Sequence, residues 1–197
     1  MSIYLIIMLS LPVLYLTGSL RKSTSTSGIN GVCFVLYFVI CVLLSLIPPV
    51  KLFEQVSISL PGAFLCLAPV VYLIVQRDFT FRFYLAAMIT VLISVTASFV
   101  SISYTISFIS ALLIFSVSLV SLLLLKNRAP LYAPVLIGIY SIAADIMSLL
   151  TEAVRSVTAF DVLDIASISF VLCLAGSYLL SRPWHRSPIV QTKHQMS

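Results

Sequence analysis

Apolar residues in this chain come in long unbroken blocks separated by short polar connections, and block length is the first clue to the fold. Seven blocks approach the roughly 20 residues that a helix needs to cross the hydrocarbon of a bilayer. They are Ile3–Leu20, Gly31–Val50, Leu60–Gln76, Phe83–Ile102, Tyr104–Leu125, Tyr132–Leu150 and Val162–Ser181. The apolar residues run solidly, without the alternation of a lipid-facing barrel strand, so the pattern predicts helices. The third block is short and holds Pro61 and Pro69, and only a tight turn near residues 101–104 separates the fourth from the fifth. Pro12 in the first block predicts a kink and not a break, because neighbouring helices satisfy the backbone groups that a proline frees.

Composition removes the soluble alternatives. Of 197 residues, 61% are hydrophobic and 9% charged, against about a quarter charged in a soluble domain. A soluble enzyme, a disordered tail and a disulfide scaffold are excluded together. The formal charge of +5 is a topology signal and not a nucleic-acid signature, because of where it lies. Arg21 and Lys22 follow the first block, Arg77 and Arg82 the third, Lys126 and Arg128 the fifth, and Arg182, Arg186 and Lys193 the seventh. The other connections hold only Lys51 and Arg155, so nine of eleven Lys and Arg fall on alternate connections. Seven crossings with those connections in the cytoplasm give that pattern. Glu54, Glu152, Asp161 and Asp164 lean to the other side. The expected protein is an all-α, multi-pass integral membrane bundle with its N-terminus outside and its C-terminus cytoplasmic, and the loop charges suit a bacterial inner membrane. The first block lacks a basic amino end and carries its positive charge afterwards, opposite to a secretory signal, so it reads as a retained helix. Residues 21–30 read as a polar loop, and residues 182–197 as a basic tail in which Trp184 anchors the interface.

Candidate chemistry is sparse. Cys33, Cys41, Cys66 and Cys173 lie inside apolar blocks without a Cys-x-x-Cys, and both histidines, His185 and His194, are in the tail. No zinc or haem spacing, P-loop or Gly-rich phosphate cradle is present, so no metal, cofactor or enzymatic activity is expected. Asp145 stands apart. It lies about 20 Å along a helix from Tyr132 at 1.5 Å per residue, where a carboxylate costs on the order of 2.5–3.5 kcal/mol. It is expected to face the bundle interior or a wet cavity. Ser141, Asp145, Ser148 and Glu152 share one helical face, with Arg155 one turn beyond. Asp164 opens the last helix on the same outer side, a position that the helix dipole alone favours. Asp78 and Arg82 have i, i+4 spacing with the acid first, the favourable order, and read as a clamp at the cytoplasmic end. The serines of the fourth and fifth blocks read as close-packing positions.

Three local patterns make the chain similar to the queuosine precursor transporter family, also described as vitamin-uptake-like transporters. A proline-containing helix runs into Asp-x-Thr-x-Arg, here Ala68-Pro69 through Asp78-Phe79-Thr80-Phe81-Arg82. Ala133-Pro134 is followed eleven residues after the proline by Asp145, and Leu163-Asp164 opens the last helix. The patterns occur in the family's order across residues 31–181. The chain departs at Ser141-Ile142, where the family tends to place Gly-Asn, and at Ile168, where it often has a lysine.

The resemblance implies a six-helix transporter core at 31–181, similar to the substrate-binding components of energy-coupling-factor transporters, with residues 1–22 as an added helix. It implies uptake of a 7-deazaguanine, and a carboxylate such as Asp145 accepts both N1–H and the exocyclic amine of such a ring. Asp145, Asp164 and Ser141 are the expected substrate contacts, and Asp78, Arg82 and Glu152 the structural or gating groups. Tyr140, Tyr72 and Phe170 are available to stack on the ring. A homodimer or an ATPase partner stays open, and the first two helices lack the Ala-x-x-x-Ala by which such components dock. The rival expectation is a non-transporting subunit or assembly factor whose buried acids pair with a partner's helices. The topology is testable directly: alkaline phosphatase fused after Lys51 or Ala159 will be active, and green fluorescent protein fused after Arg82 or Arg128 will fluoresce. The opposite result at any of these sites overturns the seven-crossing reading.

Overall fold

The computed structural model describes residues 3–53, 56–76, 79–100, 106–150, 157–159 and 163–181. The expected turn at residues 101–104, Asp78, Glu54, Glu152, Arg155, Asp161 and the tail with Trp184 lie outside them. The chain is mostly helical, and each apolar block supplies one helix. These are α1 (Ile3–Leu16), α3 (Gly31–Leu44), α4 (Leu60–Gln76), α5 (Phe81–Val100), α6 (Ile106–Leu125), α7 (Ala129–Leu150) and α8 (Leu163–Ser181). Two apolar stretches, Leu112–Met147 and Leu163–Leu180, are long enough to cross a membrane. The first contains the 3₁₀ turn Lys126–Arg128 that joins α6 to α7. Lys126 adopts φ +49° there, a left-handed residue that breaks the helical path and lets the chain reverse.

Three details correct the sequence expectations. Residues 21–30 are not simply a loop: Arg21–Thr26 form a short helix, α2. Ser23, Thr24 and Ser27 are buried, and the Ser23 hydroxyl donates to the Leu174 carbonyl at 3.2 Å. The second block does not stay helical to Val50. Helix α3 ends at Leu44, ahead of Pro48-Pro49, which cannot continue it. Nor is the fold purely α. Strands β1 (Val50–Phe53) and β2 (Val56–Ile58) pair antiparallel, and β3 (Val157–Ala159) joins β2 in parallel. The alternating Val-Ser-Ile and Val-Thr-Ala suit a half-buried strand.

Helix α7 is the hub. It packs against α4, α5, α6 and α8, and every residue from Tyr132 to Gly138 is buried. Helix α8 in turn meets α1, α2, α4 and α6. Helix α1 continues through Pro12 and gives Tyr4, Met8 and Leu11 to the same core. The Tyr4 amide donates to an Asp164 carboxylate oxygen at 2.9 Å, placing the starts of α1 and α8 together. The sheet and the C-terminal half of α7 lie at this end. Arg21, Lys22, Arg82, Lys126 and Arg128 are exposed at the opposite, basic end, and Lys51 is the described exception.

Large apolar side chains are exposed on the outside of the helices, and hydroxyls are buried alongside the apolar core. Leu36, Val71, Met88, Leu92, Phe115, Leu123 and Leu180 point outward and are exposed, whereas Thr90, Ser94, Ser118, Ser121, Ser169 and Ser177 are buried. The Thr90 and Ser121 hydroxyls bond back to carbonyls one turn earlier in their own helices. Others tie helices together: Ser94 donates to the Tyr140 carbonyl at 3.1 Å, and Ser118 and Ser169 share a bond at 2.8 Å. Close approach of α6 and α8 needs Gly176, where a Cβ would meet Leu122 at 2.6 Å. Among the described residues, no buried side-chain nitrogen or oxygen lacks a partner.

One of these partners repairs a backbone defect. Pro69 lies inside α4 and has no N–H, so the Leu65 carbonyl loses its usual donor four residues on. The Tyr37 hydroxyl, reaching over from α3, donates to that carbonyl. Tyr37→Phe is therefore expected to cost about 1–2 kcal/mol, measured by unfolding in mixed micelles. In a Pro69→Ala background the amide returns, and the same change should cost less than about 0.5 kcal/mol. Equal costs in the two backgrounds would refute the repair.

Candidate functional site

The expected acid site is built on the last turns of α7. Helical spacing puts Ser141 one turn before Asp145, and the Ser141 hydroxyl donates to an Asp145 carboxylate oxygen at 3.5 Å, a long bond. Ser141 is buried and Asp145 half-buried. The preceding carbonyl, of Tyr140, receives the Ser94 hydroxyl from α5, which fixes α7 laterally at this level. Because α7 runs from Ala129 to Leu150, Asp145 stands about 24 Å from its start and about 7.5 Å from its last described residue at 1.5 Å per residue. The carboxylate thus belongs to the C-terminal half of α7.

Asp164 has a different employment. It is exposed, and its carboxylate accepts the Tyr4 amide, one of the first N–H groups of α1 that have no partner inside their own helix. The acid closes the start of a helix 160 positions away in the chain, which local sequence spacing could not reveal. Arg82 is exposed in the first turn of α5, whereas Asp78 and Glu152 lie outside the described residues.

A separate cavity of about 270 Å³ lies between α3, α4, α7 and α8. Its walls are almost wholly apolar and rich in aromatic rings, among them Phe34, Tyr37, Phe64, Tyr72 and Phe170. Ring contacts hold the walls in place: Tyr37 lies 5.7 Å from Phe64, and Phe38 stands edge-on to both Phe34 and Phe170 at 4.9 and 5.4 Å. The two tyrosine hydroxyls are engaged, Tyr37 with the Leu65 carbonyl and Tyr72 with the Gly28 carbonyl. Tyr72 and Phe170, named from sequence as stacking residues, line this cavity; Tyr140 is not among its lining residues.

Asp145 is not among the residues that line the cavity. On α7 the lining residues are Pro130 and Leu131, the latter fourteen helical residues or about 21 Å before Asp145, whereas Phe64 on α4 and Phe170 on α8 lie within about two turns of their helices' starts. The walls offer the polar edge of a bicyclic base nothing, at a cost of several kcal/mol for unpaired donors. The structure therefore joins Ser141 to Asp145 and Asp164 to Tyr4, and assigns the large cavity to neither. Sequence reasoning missed the cavity because each lining residue, taken alone, is an ordinary apolar position. The readable signal was the stripe Phe64, Ala68, Tyr72 at one-turn spacing on α4.

Among the described residues no three His, Cys, Asp or Glu converge in a way that could hold a metal ion. No family model, curated protein or solved structure matches the chain. Asp164→Ala is expected to lower stability by about 1 kcal/mol, the usual worth of a helix-start cap, and to speed hydrogen exchange in the first turn of α1. Asp164→Asn, which keeps an acceptor oxygen, should recover most of the protection. Unchanged exchange in the alanine variant would free Asp164 for another role.

Proposed function

We propose that this chain is a multi-pass membrane carrier for a small solute, with its N-terminus outside and its C-terminus in the cytoplasm of a bacterial inner membrane. The outward-facing leucines, valines and phenylalanines, with hydroxyls gathered inside, support a lipid surrounding, since that exterior would be a large aggregation-prone surface in water. The concentration of described cations at one end supports the orientation.

The observation that carries the carrier reading is Asp145: a half-buried carboxylate on the helix that organises the bundle, with a serine hydroxyl one turn away. Ionisable groups at such positions mark solute or ion paths. A carboxylate beside a hydroxyl suits a solute presenting two donors on one edge. The motif resemblance narrows that class to a nucleobase-like ring, a 7-deazaguanine precursor of queuosine. In this reading α3–α8 form the transporter core, α1 is an addition packed on α3 and α8, and Arg82 with Asp78 steadies the cytoplasmic end. Solute meets Asp145 and Ser141 from the sheet end, and Asp164 holds the wall beside them.

A second reading, a non-transporting subunit whose acid meets a partner's helix, draws on two facts: Asp164 already serves α1, and Asp145 is not among the residues that line the cavity.

Complementation separates the two. In a strain unable to make queuosine precursors, the wild-type chain should restore the modified tRNA base when 7-cyano-7-deazaguanine is supplied. Asp145→Asn should lower uptake by about tenfold or more, the worth of a hydrogen bond to a charged group, at an unchanged level in the membrane. Normal uptake by Asp145→Asn sinks the site assignment. No restoration by the wild type with either the 7-cyano or the 7-aminomethyl base sinks the deazaguanine class.

A further inference from the structure

The aromatic cavity has an open side on the outer surface of the bundle. Cys33, Leu36 and Ile40 line it on α3, and all three are also exposed on the outer surface of the bundle. Across the gap stand Phe64, Ala68 and Tyr72 on α4, half-buried and one turn apart. Two facing stripes of this kind make a slot between neighbouring helices that opens sideways, along the same face that presents Val71 and Leu43 to the surroundings. Its volume of about 270 Å³ exceeds the roughly 150 Å³ at which an apolar cavity stays dry and takes up a hydrocarbon guest. Nothing in the walls rewards a polar molecule, because both tyrosine hydroxyls already serve backbone carbonyls.

The slot runs from Phe64 and Ile40 down to the basic end. Ile29, just before α3, Tyr72, near the end of α4, and Pro130, in the first turn of α7, all border it. Pro130 follows directly on the Lys126–Arg128 turn, both of whose cations are exposed, and Arg21 and Lys22 are exposed at the same end. Hydrocarbon-lined walls with positive charge at one end are the complement of one molecule class.

We propose that this slot holds one acyl chain of an anionic membrane phospholipid, entered sideways between α3 and α4, with its phosphate beside the basic end. The inference goes beyond the carrier reading and needs only that the helices lie in a bilayer. The chain fills a gap between α3, α4 and the hub helix, so lipid bound here sets the spacing of the core.

The test uses the full chain in phosphatidylcholine nanodiscs containing phosphatidylglycerol with a photoreactive diazirine in its acyl chain, with adducts mapped by mass spectrometry. Adducts should concentrate on residues 29–40 and 64–72, and phosphatidylglycerol should label them about fivefold more than diazirine-phosphatidylcholine, the ratio one basic residue beside an anionic headgroup supplies. Ala68→Trp, which fills the slot, should remove those adducts and leave those on α5 and α6 unchanged. Independently of any variant, added phosphatidylglycerol should slow alkylation of Cys33 in the wild-type protein. Adducts spread evenly over Leu92, Leu119 and the slot, equal labelling by the two lipids, or unaltered Cys33 reactivity would each overturn the proposal. So would displacement of the chain by 7-cyano-7-deazaguanine, which would hand the slot to the solute. Loss of uptake in Asp145→Asn does not bear on this site, so the two readings fail separately.

Discussion

Polar atoms inside this bundle must find their partners within the chain, because they are surrounded by apolar residues both toward the core and toward the exterior. Most other features follow from that constraint. Hydroxyls bend back to carbonyls of their own helices or cross to a neighbour, and a thiol does the same where Cys41 reaches the Pro61 carbonyl at 3.6 Å. The Tyr37 bond to Leu65 shows the constraint at its sharpest. The carbonyl that Pro69 frees in α4 is met by a residue 32 positions before the proline, on another helix. Packing specificity in such a core comes from where these bonds fall, since apolar contact alone does not distinguish one helix face from another.

Helix α7 carries the functional argument because its two ends do opposite things. Its first turns are wrapped by other helices and form part of a hydrocarbon-lined slot. Its last turns carry the half-buried carboxylate with Ser141. A single rigid helix therefore separates a site suited to charge and hydrogen bonding from one suited to neither. Pro134 within the buried stretch frees the Pro130 carbonyl from its usual amide, so the slot end of α7 is also where its backbone ladder is interrupted.

Much of the architecture was legible from sequence. Block length alone located seven helices, since unbroken apolar runs of this length leave few other elements open. Among the described cations, Arg21, Lys22, Arg82, Lys126 and Arg128 lie at one end of the bundle and Lys51 at the other. The end-points were less legible. Pro48-Pro49 stops α3 early, and residues 21–26 form a helix whose serines are buried through contact with α8, a tertiary effect that composition read as a loop. For the site, Ser141 and Asp145 were readable because both lie on one helix at i, i+4. The Asp164–Tyr4 bond and the slot were not, because each depends on which distant helices become neighbours.

The parallel pairing of β2 with β3 has a consequence for biosynthesis. Val56 lies against Val157, about a hundred residues later in the chain, so during translation β2 leaves the ribosome with one edge covered by β1 and the other bare. That edge closes only when the connection between α7 and α8 has been made. The small sheet is thus completed late, with only α8 left to dock, and a nascent chain arrested before it carries an unpaired strand edge.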